Sequence, residues 1–556
     1  MSKVFSFNLI ALLVINPAIS HCETVYTHIS ANEIENGSFG CSVSNAGDVD
    51  GDGYDDVVIG APFEDQDTSL TNAGRTYVYS PGTGTLLMEL TSPHEQIYGR
   101  FGRSVAGVGD VNNDEYGDII IGAPGENSDT SPLYSGRAYI LNGATGITIQ
   151  ELISPNAEAY GSFGYSVSMI GDVNDDNHDD VIVGAYLEDP GQSPTDAGRA
   201  YVFSGADGNV IHILRSPNEE QGGRFGLSVA NAGDTNADGY EDIVVGADYE
   251  DPGTSPDDAG RAYIFDGFTG DVLCTMMSPN EQVYDGGFGY SVSALGDIND
   301  DGCSDVLVGS PWETYAVGSW SGRAYILDGT TGGPIHTLES PNPQELGFFG
   351  ISVSKAGDLD NDGYPDAVIG AYNEDPQGSP YRAGRSYIFS GATGSLIREM
   401  VSHNEIQDGL FGCSVSGGLD VDGDGLEEVV VGARGEYPNN SPEKAGRVYI
   451  YSMNTILMGE INDGQLAITW DHYPAATNYW LYGTEDDPYF LPGINTPYEF
   501  RQAVLPATTT AWGTPEGIGD PEENWTYMLI AVDAYDRELL RTNRVGEFDF
   551  VTVITD

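Results

Sequence analysis

The stretch GDVDGDGYDDVVIGAP, residues 47–62, crowds aspartates and glycines into a tight acidic loop and then turns at once into a β-branched run. It recurs as GDVNNDEYGDIIIGAP from Gly109, GDVNDDNHDDVIVGAY from Gly171, GDTNADGYEDIVVGAD from Gly233, GDINDDGCSDVLVGSP from Gly296, GDLDNDGYPDAVIGAY from Gly357 and LDVDGDGLEEVVVGAR from Leu419. The leading aspartates, Asp48, Asp110, Asp172, Asp234, Asp297, Asp358 and Asp420, are separated by 62, 62, 62, 63, 61 and 62 residues. A fixed period of this length marks a repeat architecture.

Each copy carries further landmarks in a fixed order. A Phe-Gly pair precedes the loop, and a Gly-Arg-x-Tyr segment follows the apolar run. A Gly-rich turn then leads to a fourth apolar segment that ends in Ser-Pro in most copies. That makes four short strands bounded by turn chemistry. One such unit cannot bury both of its faces, and radial stacking of seven solves the problem. The expected fold class is all-β, a seven-bladed β-propeller of four-stranded blades over residues 23–455, followed by a small β-sandwich. The seventh copy lacks its fourth strand, whereas an unassigned segment, ETVYTHISANE, begins at Glu23. This N-terminal strand is expected to complete the last blade and so remove an exposed edge.

The spacing inside the loops identifies their chemistry. Oxygen-bearing side chains stand at positions 1, 3, 5 and 9: Asp48, Asp50, Asp52 and Asp56; Asp110, Asn112, Asp114 and Asp118; Asp172, Asn174, Asp176 and Asp180; Asp234, Asn236, Asp238 and Asp242. The series continues with Asp297, Asn299, Asp301 and Asp305; Asp358, Asp360, Asp362 and Asp366; and Asp420, Asp422, Asp424 and Glu428. Calcium takes about six to eight oxygens, and alternate residues of a tight loop present them inward. Position 6 is glycine in five copies, where the chain must turn sharply. An EF-hand would supply its acid at position 12 ahead of a helix; here it comes at 9 and a strand begins. Up to seven calcium ions are expected. Paired catalytic carboxylates fail on number, because one reaction needs one site. Loops with asparagine at position 3 should bind less tightly, and Glu115, standing where glycine is preferred, should make the second loop the weakest.

Composition agrees. The chain holds 86 acidic and 21 basic residues, a formal charge of −65, which excludes nucleic acid and anionic membrane as partners. Residues 1–22 read as a secretory signal peptide, one lysine followed by an apolar run from Val4 to Ile15 and small residues after Pro17. No later segment reaches about 18 apolar residues, so the mature chain is expected to be secreted or held at the cell surface, without a transmembrane segment and monomeric. Cys41 and Cys413 fall at equivalent points of the first and last repeats. They either pair across the closing seam or serve as small apolar residues on buried strands.

FGCSVSNAGDVDGDGYDDVVIGAP, residues 39–62, resembles the FG-GAP repeat of integrin α-subunit propellers, and the resemblance covers roughly residues 24–455. It implies a seven-bladed propeller with calcium loops on one face and partner-binding loops on the opposite one. Integrin α subunits fill only some of these loops; here all seven are filled.

Two features outside the loops also repeat. A glutamate follows the Gly-Ala-Pro strand (Glu64, Glu126, Glu188, Glu250, Glu313, Glu374 and Glu436), and the Gly-Arg arginine recurs from Arg75 to Arg447. Both are expected to form a structural ion pair or loop clamp. The repeat breaks in the fifth blade at WETYAVGSWSGR, where Trp312, Tyr315 and Trp320 offer aromatic contacts to a protein or a sugar ring, or else cover the blade themselves. Residues 456–556 alternate apolar and polar positions and resemble a fibronectin type III domain, with Trp470 in its core and Tyr527 near a late strand. No Gly-x-Ser-x-Gly, His-Glu-x-x-His or phosphate-binding glycine loop occurs. The function expected is a calcium-binding adhesion or ligand-binding module for an extracellular protein or glycan, with no catalysis. The alternative is a propeller-based carbohydrate-active enzyme or lectin resembling polysaccharide lyases.

Overall fold

The acidic loop of the first repeat joins strand Ser42–Gly47 to strand Asp56–Ala61, and the blade continues through Arg75–Ser80 and Thr85–Leu90. These four strands are hydrogen-bonded in sequence order and are antiparallel throughout. The structure is a computed structural model. It describes residues 23–452 apart from 66–70, 128–132, 190, 192–193, 252–257, 281–285, 316–319, 361, 376–379, 422–426 and 438–441, together with the backbone of strands between 458 and 546.

Five further blades repeat the first. The seventh takes Phe411–Leu419, Glu428–Ala433 and Arg447–Ser452 from one end of the array and its outer strand, Glu23–His28, from the other. The expected closure is therefore present, with Glu23 opposite Ser452 and His28 opposite Val448.

Burial follows from radial stacking. The second and third strands of the first blade are buried along their whole length, while the outer strand is largely half-buried or exposed. The core lies between blades. Phe163, Val181, Val183 and Tyr201 of the third blade pack against Val108, Ile120 and Ile140 of the second. The closing seam does the same with Phe39, Val57, Ile59 and Tyr77 against Leu419, Val430 and Ile450. Burying one such side chain contributes about 1.5–3 kcal/mol, so stability resides in the seams rather than in any single blade.

Glycine sets how closely blades approach. The Phe of each Phe-Gly pair bridges the glycine of the preceding Gly-Arg, as Phe101 does with Gly74. Gly74 has a φ of +91°, and a Cβ on it would lie 2.2 Å from the Phe101 carbonyl oxygen. Only glycine fits there.

Further along, strands Met458–Asn462, Gln465–Thr469 and Ala511–Gly513 form a three-stranded sheet. Arg501–Pro506, Asn478–Glu485, Trp525–Val532 and Glu538–Gly546 form a four-stranded one in that order. Trp470 lies outside the described residues, and of Tyr527 only the backbone is described. Among the described residues, no helix is long and apolar enough to cross a membrane.

Candidate metal centres

The acidic loops of blades one to six are folded by their own carboxylates. Asp48 Oδ1 accepts from the Gly51 and Asp52 amides at 2.6 and 3.1 Å, and its Oδ2 accepts from Gly53 N at 2.9 Å. Asp56 Oδ2 accepts from Val49 N at 2.9 Å. The same pattern recurs at Asp358 and Asp366, with Asp362 N at 3.0 Å, Gly363 N at 2.9 Å and Leu359 N at 2.8 Å. Position 9 is at most 1% exposed in every blade, through Asp56, Asp118, Asp180, Asp242, Asp305, Asp366 and Glu428. A ring of seven buried acids, each beside further acids, needs compensating charge.

Their proton affinities register that need. Burial pushes the Asp56 carboxyl up to about 7, against the Val49 amide, and repulsion from Asp50, Asp52 and Asp48 adds to the shift. Burial likewise lifts Asp180 and Asp366 to about 7, and Asp118, Asp242 and Asp305 to about 6.

The donor sets of the first and sixth blades fit a hard divalent cation. Carboxylate oxygens of Asp48, Asp50 and Asp56, and again of Asp358, Asp360 and Asp366, lie within 4.8 Å of one another. Asp56 Oδ1 is buried and has no hydrogen-bond donor. Local chemistry explains this. In blades two to six the glycine of the turn after the third strand donates to the position 9 acid, as Gly143 N does to Asp118 at 3.0 Å and Gly391 N does to Asp366 at 3.1 Å. In the first blade that place is Pro81, which has no N–H. The oxygen is left directed into the cluster.

Where position 3 is asparagine, its amide turns toward an acid. Asn112 donates to Asp118 at 2.9 Å and Asn174 donates to Asp180 at 3.1 Å. Blades four and five bring in carboxylates that sequence reasoning missed, with Asn236 Nδ2 3.3 Å from Asp266 and Asn299 Nδ2 3.4 Å from Asp328. The signal was available, since aspartate replaces serine or asparagine at that turn in these two blades alone. Asp110, Asp114, Asp172, Asp176, Asp234, Asp238, Asp297 and Asp301 take their expected loop places. Asp420 and Glu428 flank a loop whose Asp422 and Asp424 lie outside the described residues.

Glu115 has a φ of 75°, where Gly53, Gly239, Gly302 and Gly363 have 89–96°. Glu115→Gly is expected to raise the melting temperature in EGTA, stabilising by about 1 kcal/mol through relief of the left-handed backbone. A lower melting temperature would show that the side chain contributes more than its backbone costs.

The repeated glutamates act as clamps, with a partner different from the one expected. Glu64 is fully buried and accepts from the Tyr77 hydroxyl, while its carbonyl accepts from Gly74 N at 2.9 Å. Tyr139, Tyr201, Tyr263, Tyr325, Tyr387 and Tyr449 do the same for the other six. Burial pushes the Glu64 carboxyl up to about 7 despite hydrogen bonds from Ser30 and Tyr77. Four of the arginines, Arg75, Arg137, Arg323 and Arg385, instead reach acids at the outer strand, as Arg323 Nη2 reaches Glu339 at 2.9 Å and Arg385 Nε reaches Glu399 at 2.8 Å, while Arg199 and Arg261 donate to the Asp189 and Asp251 carbonyls. An Arg323–Glu313 contact at 3.3 Å and an Arg137–Glu126 contact at 3.9 Å are the described pairings of the expected kind.

The three fifth-blade aromatics have separate neighbours. Trp312 meets Tyr249 and Tyr290 edge-on at 5.4 and 5.2 Å. The Tyr315 hydroxyl donates to the Ser340 carbonyl at 2.6 Å, with the Arg323 guanidinium 4.9 Å above its ring. Trp320 is 38% exposed and stacks on Phe348 at 6.3 Å. Cys41 and Cys413 are free thiols beside the central channel, close to Arg434.

Comparison with known proteins agrees with this geometry. The family model for the FG-GAP repeat matches residues 39–79, 101–141, 163–203, 225–265, 288–327, 349–389 and 411–451, just over half of the chain. Similar proteins include integrin alpha-5 of Xenopus laevis, 28% identical over 312 residues that make up 52% of this chain and 28% of the relative. Integrin alpha-4 of Xenopus laevis is 31% identical over 293 residues, 51% of this chain and 26% of its own length. Integrin alpha-IIb of Homo sapiens is 29% identical over 334 residues, 56% and 30% respectively. The chain thus spans less than a third of the length of these relatives.

Proposed function

This chain belongs to the FG-GAP repeat family, and on that premise we propose that it is an exported, calcium-stabilised adhesion or ligand-binding module with no catalysis of its own. The observation that carries this reading is the seven-bladed ring with an acidic loop at the same end of every blade. The kinship with integrin α subunits supports it. Calcium is the ion of the seven loops, held by the carboxylates and asparagines at positions 1, 3, 5 and 9. When bound it supplies positive charge to the buried acids, and the chain's own amides keep those acids in place. Residues 1–22 direct export, 23–455 form the propeller, and 456–556 form a fibronectin type III-like spacer. The partner is an extracellular protein or glycan that docks at the strand ends opposite the calcium loops, where Trp312, Tyr315 and Trp320 also lie.

The test is capture of purified residues 23–556, in calcium and in EGTA, on arrays of extracellular proteins and glycans, with product analysis of every glycan captured. Calcium-dependent capture without cleavage is the expected result. Steady release of reducing ends or unsaturated sugars would overturn the non-catalytic reading.

A further inference from the structure

A cavity of about 440 Å³ opens between the second and third blades, lined by Tyr98, Tyr134, Tyr160, Tyr165, Tyr186 and Arg100. It lies at the strand ends opposite the acidic loops, and its volume is in the range of small-molecule sites. The repeat does not dictate such a gathering of tyrosines. Positions equivalent to Tyr98 and Tyr160 hold Asn36, Gly222, Asp285, Leu346 and Asp408 in the other five blades, and those equivalent to Tyr134 hold Asn72, Asp196, Asp258, Trp320, Arg382 and Lys444, so tyrosine at all three is particular to this place.

Tyr98, Tyr134 and Tyr160 have φ values of 62°, 54° and 69°. That left-handed region suits glycine, asparagine and aspartate and disfavours a bulky ring. The repeat imposes this conformation elsewhere as well, at Leu346, Trp320, Arg382 and Lys444 among others; what is particular to this place is that three tyrosines adopt it around one cavity. Tyr134 and Tyr160 lie 5.6 Å apart and Tyr165 and Tyr186 lie 4.4 Å apart, while Tyr160 remains 56% exposed.

The cavity also carries a positive charge. Arg100 is exposed at the cavity, and among the described residues no salt bridge to a carboxylate engages it. On the channel side Arg103 donates to the Tyr165 hydroxyl at 2.5 Å and lies 4.2 Å over its ring. In a chain of formal charge −65, Arg100 thus offers an anion a cationic contact at an aromatic cavity, with Arg103 behind Tyr165.

We propose that this cavity binds a carboxylated pyranose, a hexuronate unit of an acidic glycan. The tyrosine faces and hydroxyls take the sugar ring, and Arg100 takes its carboxylate. Aromatic faces match the C–H face of a pyranose, phenol groups match its hydroxyls, and the guanidinium fork matches a carboxylate. This names the ligand of the module proposed above and rests on that reading.

The experiment is calorimetric titration of residues 23–556 in calcium with tetragalacturonate and with its carboxyl-reduced, neutral counterpart. The acid binds and the neutral sugar binds at least about tenfold more weakly, because the charge-assisted contact is lost. Arg100→Gln lowers affinity for the acid by about tenfold for the same reason. Tyr160→Asn lowers it comparably while leaving the melting temperature unchanged or higher, since asparagine suits a left-handed backbone.

Absence of binding by the unaltered chain overturns the inference. So does binding that both variants retain, which would place the polyuronate on the calcium loops at the other end of the blades. If the chain captures a protein or a different glycan independently of these residues, the adhesion reading stands and this inference falls. Capture of nothing on the arrays or in the titration brings down both.

Discussion

In excess EGTA the propeller is expected to melt tens of degrees below its transition in millimolar calcium, or to lose its cooperative transition. A site at a hundred times its dissociation constant stabilises by about 2.7 kcal/mol, so a few of seven sites together rival the roughly 5–15 kcal/mol that holds a whole domain folded. The effect should also depend on pH with a definite sign. In the ion-free fold the position 9 carboxyls of Asp56, Asp180 and Asp366 sit near pH 7, raised mainly by burial, against an ordinary value of 3.8. Between these values the folded chain holds more protons than the unfolded one, so the contribution of these groups to ion-free stability falls as pH rises through the window. Calcium needs the same oxygens deprotonated, and protons compete with it. The difference in melting temperature between calcium and EGTA should therefore grow from pH 5 to pH 8. Scanning calorimetry across that range, with bound metal counted, checks both statements. A difference that stays flat or shrinks would remove the position 9 acids from the ligand set.

Deleting residues 23–30 should do comparable damage by a different route. Strand Glu23–His28 makes five register pairs with Arg447–Ser452, worth about 1 kcal/mol for each hydrogen bond. His28 is buried with its ring 4.5 Å from Tyr79, and the Tyr79 hydroxyl donates to the Ile29 carbonyl at 2.7 Å. Without the segment the last blade presents an open edge and the first-to-last seam loses packing. The truncated chain should melt well below the intact one and associate through that edge in size-exclusion chromatography. A synthetic peptide of residues 23–34 should restore the monomer. An unchanged melting temperature would mean that the ring holds without its closing strand.

The parts of this protein that could be read from sequence are those whose chemistry is local. Blade number, closure and the loop positions from Asp48 to Glu428 follow from spacing within sixteen residues or from a period near 62. What escaped depends on contacts across the blade. Glu64, Arg75 and Tyr77 all repeat, and recurrence alone does not say that the hydroxyl of Tyr77 is the group that meets the acid. Pro81, Asp266 and Asp328 bear on the loops only because the next turn folds back beneath them. Trp312 and Trp320 stand out in the sequence because they share one loop. The tyrosine cavity is assembled from separate loops of two blades, and its members are adjacent only in the folded ring.

The pairing of Glu23 with Ser452 also has a mechanical consequence. Chain enters and leaves the ring at the same end of two neighbouring antiparallel strands. A load applied between these two points would peel their hydrogen bonds one after another, the low-force way to part a sheet. A load borne through the C-terminal side alone would pull on Arg447–Ser452, a strand held on both flanks. A ring loaded from that one side would therefore resist tension better than one pulled at both ends of its chain.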